Sequence, residues 1–177
     1  MSLGWSRRAL VDTLVGTETE IDFSIPLSEL PRVSHEVFSR DGEAVGHVRY
    51  SRQLGVAVAD LELKTQPEVI CQRCMLPLRW PIEVKSRVAL VSDYDAAGRV
   101  PEGMEVFLVE GDSVSVRDLV DEEIMVAMPH VARHAEDSEC AGRELTLPGQ
   151  EAETAEDAAS AQVQTPFAQL GELLKRK

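Results

Sequence analysis

Several stretches of the chain alternate apolar and polar residues with the two-residue period of half-buried strands. Ile21, Phe23, Ile25 and Leu27 share one parity and Glu20, Asp22 and Ser24 the other, which predicts a strand ending near Pro26. Val48, Tyr50, Leu54, Val56 and Val58 stand at even numbers, and Leu61, Leu63, Val69 and Cys71 at odd ones. A bulge or turn near Ala59-Asp60 would absorb that switch. The clearest alternation runs from Leu76 to Leu90, with Leu78, Trp80, Ile82, Val84, Val88 and Leu90 inward and Arg79, Glu83, Lys85 and Arg87 outward. Met104, Val106 and Leu108 suggest one more strand after a loop carrying Asp93, Asp95, Gly98 and Pro101.

The period then changes. Ser115 is placed to cap a helix, Asp118 and Asp121 complement its dipole, and Val116, Val120, Ile124 and Ala127 form an apolar stripe that Pro129 ends. Between about 135 and 164 the chain has almost no large apolar side chains, so it reads as an acidic flexible linker. Thr165 as N-cap, Pro166 at the first helical position and Phe167, Leu170 and Leu174 as a stripe predict a short helix ending in Lys175-Arg176-Lys177. The expected architecture is α+β, a mainly antiparallel sheet or partly open barrel with a packed helix at 116–128. Its divisions are a domain over 1–134, the linker over 135–164 and a terminal helix over 165–177.

Charge refines this picture. The 177 residues carry 18 Lys+Arg against 31 Asp+Glu, a net charge of −13, which excludes a uniformly basic nucleic-acid binder. Residues 1–100 hold 14 acids and 12 bases, and residues 101–177 hold 17 and 6, so the acidity lies at the back. The longest apolar run, Ile124 to Met128, is far short of the roughly twenty residues that span a membrane. Asp12 interrupts the apolar stretch after Arg7 and Arg8, so no signal-peptide core is expected and the protein is placed in the cytoplasm. Three cysteines argue against a disulfide framework.

The sharpest local feature is Cys71-Gln72-Arg73-Cys74 between two predicted strands. Two thiolates at this spacing can occupy two corners of a tetrahedral zinc site. His130, His134 and Cys140 are the downstream residues able to complete it, with His134 and Cys140 the preferred pair. The alternative is that Cys71 is a small buried apolar side chain and Cys74 a free thiol at the turn. A thioredoxin-like role would need the pair at a helix start, which Pro77, Pro81 and the strand pattern oppose.

Arg49, Arg52, Arg73, Arg79, Lys85 and Arg87 follow the outward parity of adjacent strands or sit at the cysteine turn, and together could form a basic stripe facing RNA phosphates. The competing reading is a solvated sheet face with scattered ion pairs. Tyr50 and Trp80 fall on the apolar parity and read as core. Asp121, Glu122 and Glu123 read as a solvated helix face, since consecutive helix residues diverge by about 100°. His35 and His47 have no nucleophile partner and read as surface or hydrogen-bonding residues. No phosphate-cradling loop, nucleophile elbow or paired metal-binding helix motif occurs, so neither catalysis nor a small-molecule substrate is expected.

Three motifs in order, Cys71-Gln72-Arg73-Cys74-Met75-Leu76-Pro77-Leu78, Asp118 to Ile124 with Ala127-Met128-Pro129, and Thr165-Pro166-Phe167-Ala168-Gln169-Leu170, resemble the YceD family over roughly residues 20–177. These are the large ribosomal RNA subunit accumulation proteins of bacteria. The resemblance implies a noncatalytic factor supporting accumulation or processing of large-subunit ribosomal RNA, with precursor RNA or a ribosomal protein as partner. A protein-binding adaptor without RNA contact, docking through its acidic segment and terminal helix, is the rival. The family carries a cysteine pair at Cys71 and Cys74, and its proteobacterial members place His and Cys after the helix, matching His134 and Cys140. His130 stands where the family more often has an apolar residue, which makes it the second-choice ligand, and Thr165 stands where the family commonly has Asn; Thr and Asn both cap helices.

Overall fold

The structure, a computed structural model, describes residues 4–98, 100–135 and 140. The chain divides into units Met1–Gly142 and Arg143–Lys177, and all of the second lies outside the described residues. So do the expected terminal helix and nearly all of the expected linker.

The architecture is α+β. Strands β2 (Glu20–Pro26), β3 (Glu43–Gln53), β4 (Val56–Thr65), β7 (Ile82–Val91) and β8 (Glu105–Leu108) form one open sheet in the order β2-β3-β4-β7-β8. All neighbours are antiparallel except β7 and β8. Two small ribbons flank it: β1 (Ala9–Leu10) pairs with β9 (Ser113–Val114), and β5 (Glu68–Ile70) with β6 (Pro77–Arg79). The helices are α1 (Val11–Gly16), α2 (Val33–Glu36), α3 (Tyr94–Ala97) and α4 (Val116–Ala127).

Alternation decides which face of the sheet is buried. Ile21, Phe23, Val48, Tyr50, Leu61, Leu63, Val88 and Leu90 join Val116, Leu119, Val120 and Ile124 of α4 in one core. The Ser115 hydroxyl accepts the Asp118 amide at 3.2 Å, as the capping reading requires. Met128, extended before Pro129, ends the helix.

The structure corrects several expectations. The parity switch after Val58 comes from a hairpin at Leu54-Gly55, whose φ values of 51° and 85° define a two-residue turn, rather than from Ala59-Asp60. The register pairs even residues of β3 with odd residues of β4, so both parities face the same core. The long alternation from Leu76 to Leu90 is two strands in different sheets, broken at Trp80-Pro81. On β8 it is Phe107 that packs on the core, while Val106 and Leu108 are exposed. Ala127 is exposed and Leu119 takes a place in the stripe of α4.

Asp121 and Glu123 are buried, not solvated. The Asp121 carboxylate accepts the Arg32 and Val33 amides, supplying the cap that α2 lacks from its own N-cap residue. Glu122 remains at the surface, paired with Arg32.

Candidate metal centre

The β5–β6 ribbon ends in a tight turn built by the cysteine pair. The Cys71 amide donates to the Leu76 carbonyl at 2.9 Å, and the Met75 amide to the Cys71 carbonyl at 2.9 Å. The Arg73 amide points at the Cys71 sulfur, 3.4 Å away. Closing the turn puts Met75 at φ 60°, a left-handed conformation that costs a non-glycine residue about 1 kcal/mol. Both sulfurs thereby face the same side.

The segment after α4 lies against this turn. The Gln72 amide donates to the Ala132 carbonyl at 2.9 Å, and the Gln72 side-chain amide to the His130 carbonyl at 3.2 Å. His134 and Cys140 are thus brought to the cysteine pair, and the four ligand atoms of Cys71, Cys74, His134 and Cys140 lie within 4.8 Å of one another. The Cys71 and Cys140 sulfurs are 3.7 Å apart, and Nδ1 of His134 is 3.4 Å from the Cys74 sulfur. The three cysteines are buried, with Leu76 and Leu78 packed around them.

These distances test what the cluster can hold. A disulfide needs sulfurs about 2.05 Å apart, so 3.7 Å separates two free thiols. Bonds of about 2.3 Å to sulfur and 2.1 Å to nitrogen in a tetrahedron place neighbouring sulfurs about 3.8 Å apart and sulfur and nitrogen about 3.6 Å apart. The donor set Cys3His, its spacing and its burial fit one tetrahedral metal ion. Burial alone would push the Cys71 thiol up, but hydrogen bonds from the Cys74, His134 and Arg73 amides and the His134 ring bring it down to about 5. Burial raises Cys140 to about 11, reinforced by the Cys74 and Cys71 sulfurs beside it. Sulfurs so crowded favour a cation among them.

His130 is exposed and stands outside the four-residue cluster. His47 is a surface residue with Nδ1 2.9 Å from Asp22.

The expected basic stripe does not assemble as one surface. Arg49, Lys85 and Arg87 do share the outward face, but the register sets an acid beside each. Arg49 meets Glu20 at 3.4 Å, Lys85 meets Glu62 at 3.2 Å and Arg87 meets Asp60 at 2.7 Å. Arg52 has the inward parity of Tyr50 and reaches Asp12 of α1 at 2.6 Å. Arg73 and Arg79 lie apart from these, at the cysteine turn. Among the described residues they make no ion pair, and neither does Arg133, which the expected stripe did not include. Its position next to His134 was the available signal.

A family model described as "Large ribosomal RNA subunit accumulation protein YceD" matches residues 59–174, about two thirds of the chain, and so takes in the cysteine turn, α4 and both downstream ligands. The chain belongs to the YceD family. No curated protein and no solved structure shows significant similarity to it. The YceD match begins within β4, so β1 to β3 lie ahead of the matched region while the whole candidate metal centre lies inside it. Among the described residues no helix is long and apolar enough to cross a membrane.

Proposed function

We propose that this protein is a noncatalytic, cytoplasmic assembly factor that supports accumulation or processing of large-subunit ribosomal RNA, and that it binds one structural zinc ion through Cys71, Cys74, His134 and Cys140. Membership of the YceD family supports the ribosomal role. The convergence of four ligand atoms within 4.8 Å, from residues 69 apart in sequence, carries the zinc assignment. Bound there, zinc would supply cross-linking rather than chemistry, since four protein ligands leave no open position for a substrate. The chain's own residues do the rest: Gln72 docks the 130–134 segment, and the Arg73 amide and the His134 ring hold the Cys71 thiolate ready.

The partner of this end of the molecule is precursor ribosomal RNA. Arg73, Arg79 and Arg133 offer cations without a carboxylate partner among the described residues, whereas the sheet face matches every cation with an acid. Elemental analysis of the purified protein tests the metal, with one zinc per chain expected and loss of it in Cys71→Ser and Cys140→Ser. Ultraviolet crosslinking in ribosomal particles, combined with depletion of the protein, tests the role. Crosslinks from 71–79 to large-subunit ribosomal RNA support it. Crosslinks confined to ribosomal proteins from 135–177 would establish the adaptor instead.

A further inference from the structure

Beside the metal centre runs an open groove of about 710 Å³ lined by Leu78, Arg79, Trp80, Pro81, Arg133 and His134, together with Ala135. Its two walls come from different parts of the chain: the exit of β6 and the segment after α4. Trp80 sits at the point where the chain leaves the β5–β6 ribbon for the main sheet. It is partly buried against the main core, yet contributes to the groove wall. Pro81 fixes the chain direction there, and the Trp80 amide is tied to the Pro67 carbonyl at 2.9 Å. The backbone at Trp80 is thereby tied down, and its side chain packs partly against the core. Arg79 and Arg133, both exposed, flank it from the two walls.

We propose that this groove is a single-stranded RNA subsite, in which an unpaired base stacks on Trp80 and the adjoining phosphates are held by Arg79 and Arg133. This deepens the ribosomal RNA reading above by naming which form of RNA is taken and where, and it rests on that reading. An aromatic ring flanked by guanidinium groups is the recurring chemistry of single-strand recognition, because stacking needs a base face that pairing would hide. Among the described residues the charge balance at this end favours a polyanion, in contrast to the chain's net −13. Three arginines, Arg73, Arg79 and Arg133, stand against Glu68, which faces Arg79 in the strand register without an ion pair. A zinc ion with three thiolates and a neutral imidazole adds one further negative charge, which leaves an excess of one cation among the described residues, outside which Glu136, Asp137 and Glu139 lie. The metal centre also explains why the groove has two walls, since His134 belongs to both. Binding a metal would fix the Arg133 wall against the Arg79 wall.

The test uses the full-length, metal-loaded protein carrying Trp5→Phe, which leaves Trp80 as the single indole. The probe is a 12-nucleotide single-stranded RNA of randomised sequence, compared with a self-complementary 12-mer duplex. Saturable quenching of Trp80 emission by the single strand, at least ~10-fold tighter than by the duplex, is expected from the loss of stacking in paired bases. Arg79→Gln and Arg133→Gln, both at exposed positions, should each weaken binding and flatten the salt dependence by about 0.7 in log–log slope. Trp80→Leu should reduce affinity ~10-fold or more, with an unchanged far-ultraviolet circular dichroism spectrum checking its fold. Equal binding of duplex and single strand, or arginine variants that bind like the parent, would overturn the subsite. If oligonucleotide binding is absent while ribosomal RNA crosslinks persist from elsewhere on the chain, the groove reading falls and the ribosomal role stands. If depletion leaves ribosomal particles unchanged and no RNA crosslinks form, the role itself falls.

Discussion

The carboxylate of Asp121, halfway along α4, accepts the amide of Val33 at 3.1 Å and so caps a helix 88 residues earlier in the chain. The same carboxylate takes the Arg32 amide at 3.1 Å. Hydrogen bonds to a charged acceptor are each worth about 1.5–3 kcal/mol. Asp121→Ala should therefore destabilise the protein by about 3 kcal/mol or more, and Asp121→Asn by less, since an amide oxygen still accepts. Neighbouring Glu122, exposed and among the described residues paired only with Arg32, should cost under about 0.5 kcal/mol when replaced by Ala. Urea unfolding of the three variants checks this order. Equal losses at 121 and 122 would contradict the capping role.

A second prediction concerns the close approach of β2, β3 and β4. Gly46 faces Phe23 and Leu63 in register, and a methyl group there would fall 2.7 Å from the Phe23 ring, 2.2 Å from the Glu62 carbonyl and 2.9 Å from the Leu63 Cα. Two of these obstacles are backbone and cannot rotate away. Gly46→Ala should cost about 3 kcal/mol or more, at the upper end of overpacking penalties. Adding Phe23→Leu removes only the ring contact, so the double variant should recover a minor part of the loss. Full recovery in a double-mutant cycle would show that the ring, and not the sheet backbone, sets the limit.

The hairpin tip offers a stabilising change. Leu54 adopts φ 51° and is 87% exposed, so it bears left-handed strain without compensating burial. Asn tolerates that conformation and is favoured before Gly in two-residue hairpin turns. Leu54→Asn should raise stability by about 1 kcal/mol, read as a shift in the urea midpoint with unchanged slope. A loss of stability would mean that the Leu54 side chain has a partner worth more than the strain.

These positions show what a single chain reveals of its fold. Parity located β2 and the inward faces of β3, β4 and β7, because one-sided burial writes a period of two into the residues themselves. Ser115 and Pro129 marked α4 by local chemistry alone, and the Cys71–Cys74 spacing announced the turn that joins β5 to β6. The hairpin between β3 and β4 was hidden because Leu54 occupies a position where Asn or Asp would have signalled a turn. The register of β8 on β7 sets Phe107 beside inward Leu90 and so turns the odd residues of β8 inward, and that depends on which strand it meets. The burial of Asp121 and Glu123, and the neutralisation of Arg49, Lys85 and Arg87, are facts of register and packing. No spacing along one segment encodes them. For the same reason Arg133 gained meaning only when the 130–134 segment was found lying along the cysteine turn.

The last prediction follows from Glu123, which is 6% exposed on the inner side of α4. Burial pushes its carboxyl above the ordinary value of 4.5; the nearby Ser86 hydroxyl draws it back, and the charge and hydrogen bond of Glu105 push it up again. A folded-state value above the unfolded one means that the native protein holds this proton more tightly. The contribution to stability is then complete below about pH 4.5 and is lost as pH rises through the folded value. At neutral pH that contribution is diminished or gone, because burial and the nearby Glu105 oppose ionisation of Glu123 in the fold and nothing opposes it in the unfolded chain. Glu123→Gln keeps the shape and removes the charge, so it should be more stable than the parent at pH 7 and should lose that advantage at pH 4. Urea midpoints of both proteins at the two values decide it. Each is compared with the parent at the same pH, so protonation of the metal-centre ligands cancels in the difference. An advantage that persisted undiminished at pH 4 would place the gain in packing rather than in the titration of Glu123.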